Sequence, residues 1–180
     1  MLCGLRGALE LARGRPAGLR WFPTTPEGAL RSFWAAALCV PVFLLLRLLL
    51  EPLMLLTPRG VAAEGIGYVA GWAAYALASR HVARLLGRGG DWPRFIAAWN
   101  WATALQYGAV LFLSLIALPL PEPVQDLLSL GIIGYTLWLE WFVARHALRL
   151  PVLPAASLVL LDLFLSLFLT SVIMGLSRGG

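Results

Sequence analysis

Six polar or charged side chains stand within or at the ends of segments that are otherwise long and apolar. They are Arg47, Glu51, Asn100, Gln106, Glu140 and Asp162. A charged side chain near the middle of a bilayer costs roughly 2.5–3.5 kcal/mol on insertion scales, so such residues usually face other helices. They mark either a partner or a pathway, and the chemistry they could perform is ion pairing, proton exchange or solute binding.

The clearest case is Asp162, which interrupts an apolar segment at residues 154–176. About 20 apolar residues at ~1.5 Å rise per residue are enough to cross a hydrocarbon core of ~30 Å as a helix. Ser166 and Thr170 follow Asp162 at i+4 and i+8, which predicts a polar stripe on one helix face. Arg47 and Glu51 are likewise spaced at i and i+4.

A second polar face is predicted on the segment at residues 93–118, where Asn100, Thr103 and Tyr107 share one side and Gln106 lies nearby. Amide and hydroxyl groups in membrane helices commonly bond to a neighbouring helix, which contributes ~0.6 kcal/mol on average. A structural role is therefore expected for this face.

The segment at residues 61–79 is only weakly apolar and is rich in small residues. Gly67 with Gly71, and Ala70 with Ala74, recur at four-residue spacing on adjoining faces. Small residues let helix backbones approach closely, so we expect this segment in the middle of a helix bundle. The pattern fits a homo-oligomer contact and a contact within the chain equally well.

The composition indicates an all-α, polytopic membrane protein. The chain has 180 residues, of which 60% are hydrophobic, and this fraction is too high for a soluble domain. Five spans are predicted, at residues 32–53, 61–79, 93–118, 126–144 and 154–176. Residues 1–31 are expected to be a basic cytoplasmic tail. Within it Leu2, Leu5 and Leu9 have helical spacing, so this tail is either an interfacial amphipathic helix or a mobile segment.

Local signals predict how some helices begin and bend. Thr25 can cap a helix that starts at Pro26, and Glu27 suits its positive end. Pro41 is expected to kink the first span. Asp91 is expected to cap the helix of the third span.

The formal charge of +5 comes from Arg residues that cluster at the ends of apolar segments, which favours contact with lipid headgroups over nucleic acid. All-Arg usage is also typical of a GC-rich bacterial genome. The predicted anionic-headgroup contacts are Arg80, Arg84, Arg88, Arg145 and Arg149. The positive-inside bias places the N-terminus in the cytoplasm and the C-terminus in the periplasm of a bacterial inner membrane.

With that topology, depth follows from helical rise. Asp162 lies ~13 Å and Arg47 ~22 Å from the cytoplasmic side, a gap that an Arg side chain mostly covers. We therefore expect a buried Arg47–Asp162 ion pair, with Arg47 marking the outer helix end as the alternative. Asn100 and Glu140 lie at similar depth and can meet if the third and fourth spans are neighbours.

No recognisable catalytic signature is found in the chain. Cys3 and Cys39 form no disulfide framework, and His81 and His146 lack partners at metal-ligand spacing. Phosphate-binding, zinc-protease and serine-hydrolase motifs are missing. Arg residues interrupt the first thirty positions, so a cleaved signal peptide is not expected. We predict no enzymatic activity, no cofactor and no metal.

Two stretches resemble known membrane proteins. Residues 25–36, TPEGALRSFWAA, followed by Pro41, resemble the start of small uncharacterised bacterial inner-membrane proteins, and residues 94–101, RFIAAWNW, are similar to the opening of their third helix. The five-span plan is also similar to that of Yip1-type proteins, although the Asp-Leu-Tyr-Gly-Pro motif of the eukaryotic members is missing. The resemblance implies no known activity.

The leading functional prediction is a non-enzymatic protein that organises or assembles other membrane components, as a homo-oligomer or with other membrane proteins. The alternative is a small transporter or channel subunit with a proton- or solute-responsive polar path. A third class, a lipid-surface sensor, would use the stripe of Arg80, Arg84 and Arg88.

Overall fold

The computed structural model describes residues 1–52 and 57–178, with side chains up to residue 175, and within these residues it contains helices and no strand. The all-α prediction is confirmed. The seven α-helices of the described residues are α1 (Leu2–Ala12), α2 (Pro26–Ser32), α3 (Trp34–Leu50), α4 (Pro58–Leu85), α5 (Trp92–Ala117), α6 (Glu122–Ala147) and α7 (Val152–Arg178). Short 3-10 turns lie at Pro16–Trp21 and Gly89–Asp91.

In the part of the chain that the structure describes, four stretches are long and apolar enough to cross a membrane: Pro26–Leu50, Gly89–Ala117, Glu122–Ala147 and Val152–Gly175. They make this chain a membrane protein, and they match four of the five predicted spans. The helix α4 has 28 residues, but its Gly and Ala content and its charged residues keep its hydropathy below that of the other four. The predicted end of the first span, residue 53, lies outside the described residues.

Helix starts follow local sequence at two of three positions. Thr25 caps α2, since its Oγ1 accepts a hydrogen bond from the Gly28 N–H at 3.2 Å, as predicted. Thr57 caps α4 in the same way through Gly60 at 3.0 Å, which was not predicted. Asp91 precedes α5 but makes no capping hydrogen bond, because its backbone is helical rather than extended.

The first apolar stretch breaks at Phe33, whereas α3 runs on through Pro41. The Ser32 hydroxyl bonds back to the Ala29 carbonyl at 2.6 Å, and the Phe33 N–H bonds to the Leu30 carbonyl, three residues back. Such tightening bonds compete with the regular helical ladder and bend the chain. This break separates α2 from α3.

The long helices form a closed ring in the order α3, α5, α6, α7, α4. The ring closes where the Tyr68 hydroxyl of α4 donates to the Ala36 carbonyl of α3 at 2.6 Å. The expectation that the second span occupies the middle is wrong, because α4 turns Ile66 and Val69 outward. Its small residues line only one face. The most buried part of the fold is instead the first half of α5, including Phe95 and Ile96.

The small residues of α4 pack against α7. A Cβ at Gly67 would collide with Ile173, and one at Gly71 would lie 3.8 Å from the Leu169 side chain. The spacing therefore serves a contact within the chain, and Ile173 fills the face at Gly67. Ala70 and Ala74 are partly buried beside this seam.

The N-terminal residues form the helix α1, which packs on α5 and buries Ala8 and Leu11. The Tyr135 hydroxyl of α6 donates to the Ala12 carbonyl at 2.6 Å and ties this helix to the bundle. Residues 2–12 are therefore a helix packed on the bundle. The predicted apolar face of Leu2, Leu5 and Leu9 points outward.

Candidate functional site

A partly open cavity of about 250 Å³ lies between the five helices of the ring. Four charged residues line it, each from a different helix: Arg47 of α3, Glu64 of α4, Glu140 of α6 and Asp162 of α7. No two of them are close in sequence. The tertiary fold thus gathers ionisable groups that the apolar sequence separates.

Arg47 forms an ion pair with Glu64, Nε to Oε2 at 2.9 Å, and a second one with Glu51, Nη1 to Oε1 at 3.4 Å. The Glu64 contact is ionic without hydrogen-bond alignment, because the same Oε2 has no hydrogen-bond partner among the described residues. The Glu64 side chain is 4% exposed, Arg47 26% and Glu51 52%. Arg47 is therefore held mainly by a buried carboxylate.

The expected Arg47–Asp162 pair does not form among the described residues, although both side chains line the same cavity. Glu64 takes that place because α4 lies beside α3 and projects its carboxylate at the level of Arg47. Glu64 was not predicted as a site residue. Its spacing was the available signal, since Glu64, Gly67 and Gly71 share one helix face at i, i+3 and i+7.

Glu140 and Asp162 face each other within hydrogen-bonding distance across the α6–α7 contact. A hydrogen bond between two carboxyl groups requires that one of them carry a proton, because an ionised carboxylate only accepts. Among the described residues no Arg or His forms an ion pair with either group. The carboxyl pair therefore has no counter-ion of its own.

Aromatic rings form much of the remaining wall. Phe43 and Tyr68 have centroids 4.6 Å apart, Tyr68 and Tyr107 6.4 Å, and Trp72 and Trp99 5.3 Å. The guanidinium carbon of Arg47 lies 5.5 Å from the Phe43 centroid, within the range of a cation–π contact. This wall already accommodates one cation.

Three polar atoms of lining residues are buried without a hydrogen-bond partner among the described residues: Glu64 Oε2, the Trp99 indole N–H and the Thr103 hydroxyl. Thr103 lies one turn from Trp99 on α5. Opposite them, Ser166 and Thr170 line the cavity together with Asp162, where the polar stripe of α7 was predicted. The cavity therefore offers hydrogen-bonding groups as well as charge.

Asn100 and Gln106 lie outside the cavity and tie helices together. The Asn100 amide donates to Ser32 Oγ at 2.7 Å, and the Gln106 amide donates to the Thr136 carbonyl at 3.1 Å. Among the described residues the Asn100 amide bonds to Ser32 of α2, and no hydrogen bond joins it to Glu140. The face that Asn100 shares with Tyr107 runs along α2 and α3, so Asn100 reaches α2 rather than α6.

The predicted headgroup residues lie at the ends of α4 and α6 and in the turns that follow. The Arg88 guanidinium donates to the Arg149 carbonyl at 3.5 Å, so the two basic corners adjoin. Arg145 lies 5.1 Å from the Trp141 centroid, while Arg80 and Arg84 are exposed.

Within the described residues, no three His, Cys, Asp or Glu side chains cluster closely enough to hold a metal ion. Cys3 is exposed and Cys39 is buried, and both are free thiols. Comparisons with protein families, with curated proteins and with solved structures gave no match for this chain.

Proposed function

We propose that this chain is a non-enzymatic transporter or channel subunit of a bacterial inner membrane, with a proton- or solute-responsive path through the cavity between its helices. The observation that carries the proposal is the convergence of Arg47, Glu64, Glu140 and Asp162 on one cavity. Intramembrane ionisable residues are rare, and those that persist mark ion pathways and proton relays.

Packing alone does not account for the carboxyl pair. Burying a charge costs several kcal/mol unless a partner compensates it, and Arg47 is already shared between Glu64 and Glu51. Glu140 and Asp162 add two more acidic groups without a cation. Such an arrangement stabilises nothing by itself, so a mobile proton or a bound solute is the reason we propose for it.

The shape supports a gated path rather than an open pore. Along α7 the lining residues run from Asp162 to Ile173, eleven steps that span ~16 Å, about half of a ~30 Å hydrocarbon core. Leu158 lies one turn before Asp162 in α7 and is fully buried. It belongs to a packed region that also contains Tyr75 and Phe95. A path through the protein would need this packed half to open.

The proposed topology keeps five spans, with α4 crossing the membrane between α3 and α7 and the N-terminus in the cytoplasm. At ~1.5 Å per residue the 28 residues of α4 reach ~42 Å, more than a ~30 Å core. Its buried carboxylate, Glu64, is compensated by Arg47. The adjoining basic corners favour the cytoplasmic side for that end.

The test is flux through the purified full chain in liposomes under an imposed pH gradient, followed with an entrapped pH dye. The titratable and charged groups that face the cavity are Arg47, Glu64, Tyr68, Tyr107, Glu140 and Asp162. Wild type should dissipate the gradient faster than empty liposomes, and Asp162→Asn should abolish this, because Glu140 then has no adjacent carboxyl group to which it can pass a proton.

The matched control is Asp126→Asn, the same chemical change at an exposed position of α6 outside the cavity, which should retain wild-type flux. Equal flux in wild type and Asp162→Asn would overturn the proposal. Absence of flux together with co-purifying membrane proteins would favour the other candidate, organisation or assembly of membrane components.

A further inference from the structure

We infer that the cavity binds a small organic ammonium ion that also carries a hydrogen-bond acceptor, as an amino alcohol does. This inference rests on the proposed function for the choice of site and names the class of solute that the site takes. Three properties of the cavity support it: the charged side chains, the aromatic side chains that line it, and the buried polar atoms without a hydrogen-bond partner.

More acidic than basic side chains line the cavity: Glu64, Glu140 and Asp162 against Arg47. Arg47 and Glu64 cancel each other at 2.9 Å. Glu140 and Asp162 line the same cavity, and among the described residues neither forms an ion pair. The remaining Arg47 partner, Glu51, lies at the exposed end of α3 outside the lining. A cation would therefore offset the excess of acidic side chains in the lining.

The size and wall of the cavity favour an organic cation over a bare ion. The three carboxyl groups do not gather closely enough to hold a metal ion. The volume of about 250 Å³ is several times larger than the ~30 Å³ share of one water molecule, so the cavity has room for more than a bare ion. Phe43, Tyr68, Trp72, Trp99 and Tyr107 line it, and aromatic faces attract ammonium groups when water is excluded.

The unpartnered polar atoms favour an acceptor on the same ligand. Trp99 is 5% exposed, its indole N–H has no partner among the described residues, and an indole nitrogen only donates. The Thr103 hydroxyl nearby is likewise unpartnered. A buried donor without an acceptor is costly, so a ligand hydroxyl that reached the Trp99 N–H or the Thr103 hydroxyl from the cavity would be stabilised there. The ammonium end would then face Glu140 and Asp162.

The probe is choline, titrated calorimetrically into the full chain in detergent micelles. Its neutral isostere 3,3-dimethylbutan-1-ol has the same shape without the charge, and tetramethylammonium has the charge without the hydroxyl. We expect saturable choline binding, at least tenfold weaker binding of the alcohol, and an intermediate affinity for tetramethylammonium. Equal affinity for choline and the alcohol would overturn the inference, as would no binding of choline to folded protein.

Variants assign the binding to this cavity. The double variant Glu140→Gln with Asp162→Asn should lose choline binding at least tenfold, while Glu122→Gln with Asp126→Asn, two exposed carboxyls of α6, should bind as wild type does. Thr103→Val should weaken choline but leave tetramethylammonium unchanged. If the cavity double variant does not fold, Thr103→Val and the three-ligand comparison decide the matter.

The two proposals fail separately. Choline binding with the predicted ligand order, in a protein that shows no flux in liposomes, supports the ligand class and removes transport. Proton flux sensitive to Asp162→Asn, in a protein that binds neither choline nor tetramethylammonium, supports the path and overturns the ligand class.

Discussion

Replacing Glu64 with Gln tests whether the ion pair inside the ring stabilises the fold. The change keeps the side-chain shape and removes the charge, so Arg47 is left with Glu51 alone at 3.4 Å. Breaking a buried pair by removing one partner costs ~3–5 kcal/mol. Because Arg47 is 26% exposed and keeps its second partner, we expect a loss of ~2–3 kcal/mol in the free energy of unfolding.

The assay is unfolding of the full chain in mixed micelles with increasing sodium dodecyl sulfate, followed by circular dichroism. Glu51→Gln is the matched control, since it makes the same chemical change in the other partner of Arg47. Glu51 is 52% exposed, and exposed pairs contribute ~0–1 kcal/mol. The double variant Arg47→Met with Glu64→Leu should recover most of the loss, because no uncompensated charge remains.

The reasoning is refuted if Glu64→Gln costs no more than Glu51→Gln. It is also refuted if the apolar double variant is as unstable as Glu64→Gln alone, because the loss would then come from packing around residue 64 and not from the unpaired Arg47. A double-mutant cycle over Arg47 and Glu64 separates these two terms.

Two further predictions concern topology and the N-terminal helix. A membrane-impermeant maleimide should label the exposed Cys3 from the cytoplasmic side and a cysteine introduced by Glu122→Cys, in the α5–α6 link, from the opposite side. The buried Cys39 should not react. Labelling of both exposed cysteines from one side would mean that α4 does not cross the membrane. Tyr135→Phe removes the 2.6 Å bond to the Ala12 carbonyl and should speed amide hydrogen exchange in α1 while costing ~0.5–1.5 kcal/mol; unchanged exchange in residues 2–12 would show that apolar packing alone holds α1.

Helix positions were largely predictable, because the signals that set them are local. The segment predicted at residues 93–118 is α5, Trp92–Ala117, and Thr25 caps α2 as its type and spacing indicate. Two local signals are used here: an apolar segment long enough to cross a membrane, and a hydroxyl residue before a proline. Both depend only on residues that are adjacent in the sequence. The break at Phe33 was not foreseen, since Pro41 offered the stronger local signal.

The candidate site was predictable only in part. The stripe of Asp162, Ser166 and Thr170 follows from helical periodicity and does line the cavity. The ion-pair partner of Arg47 could not be predicted in this way. The depth of a residue along its helix axis does not say which other helix lies beside it. Glu64 lies at the same depth as Arg47, and it belongs to α4, the helix that lies beside α3.

The sequence by itself determined that this is an all-helical membrane chain, where most helices start and end, and which faces carry polar groups. Hydropathy, capping and the 3.6-residue period are properties of single segments, and they need no knowledge of neighbours. The tertiary structure decided the ring order, the Arg47–Glu64 pair, the meeting of Glu140 with Asp162, and the cavity between them. Contacts between helices depend on which faces pack together, and that choice is made by the whole bundle at once.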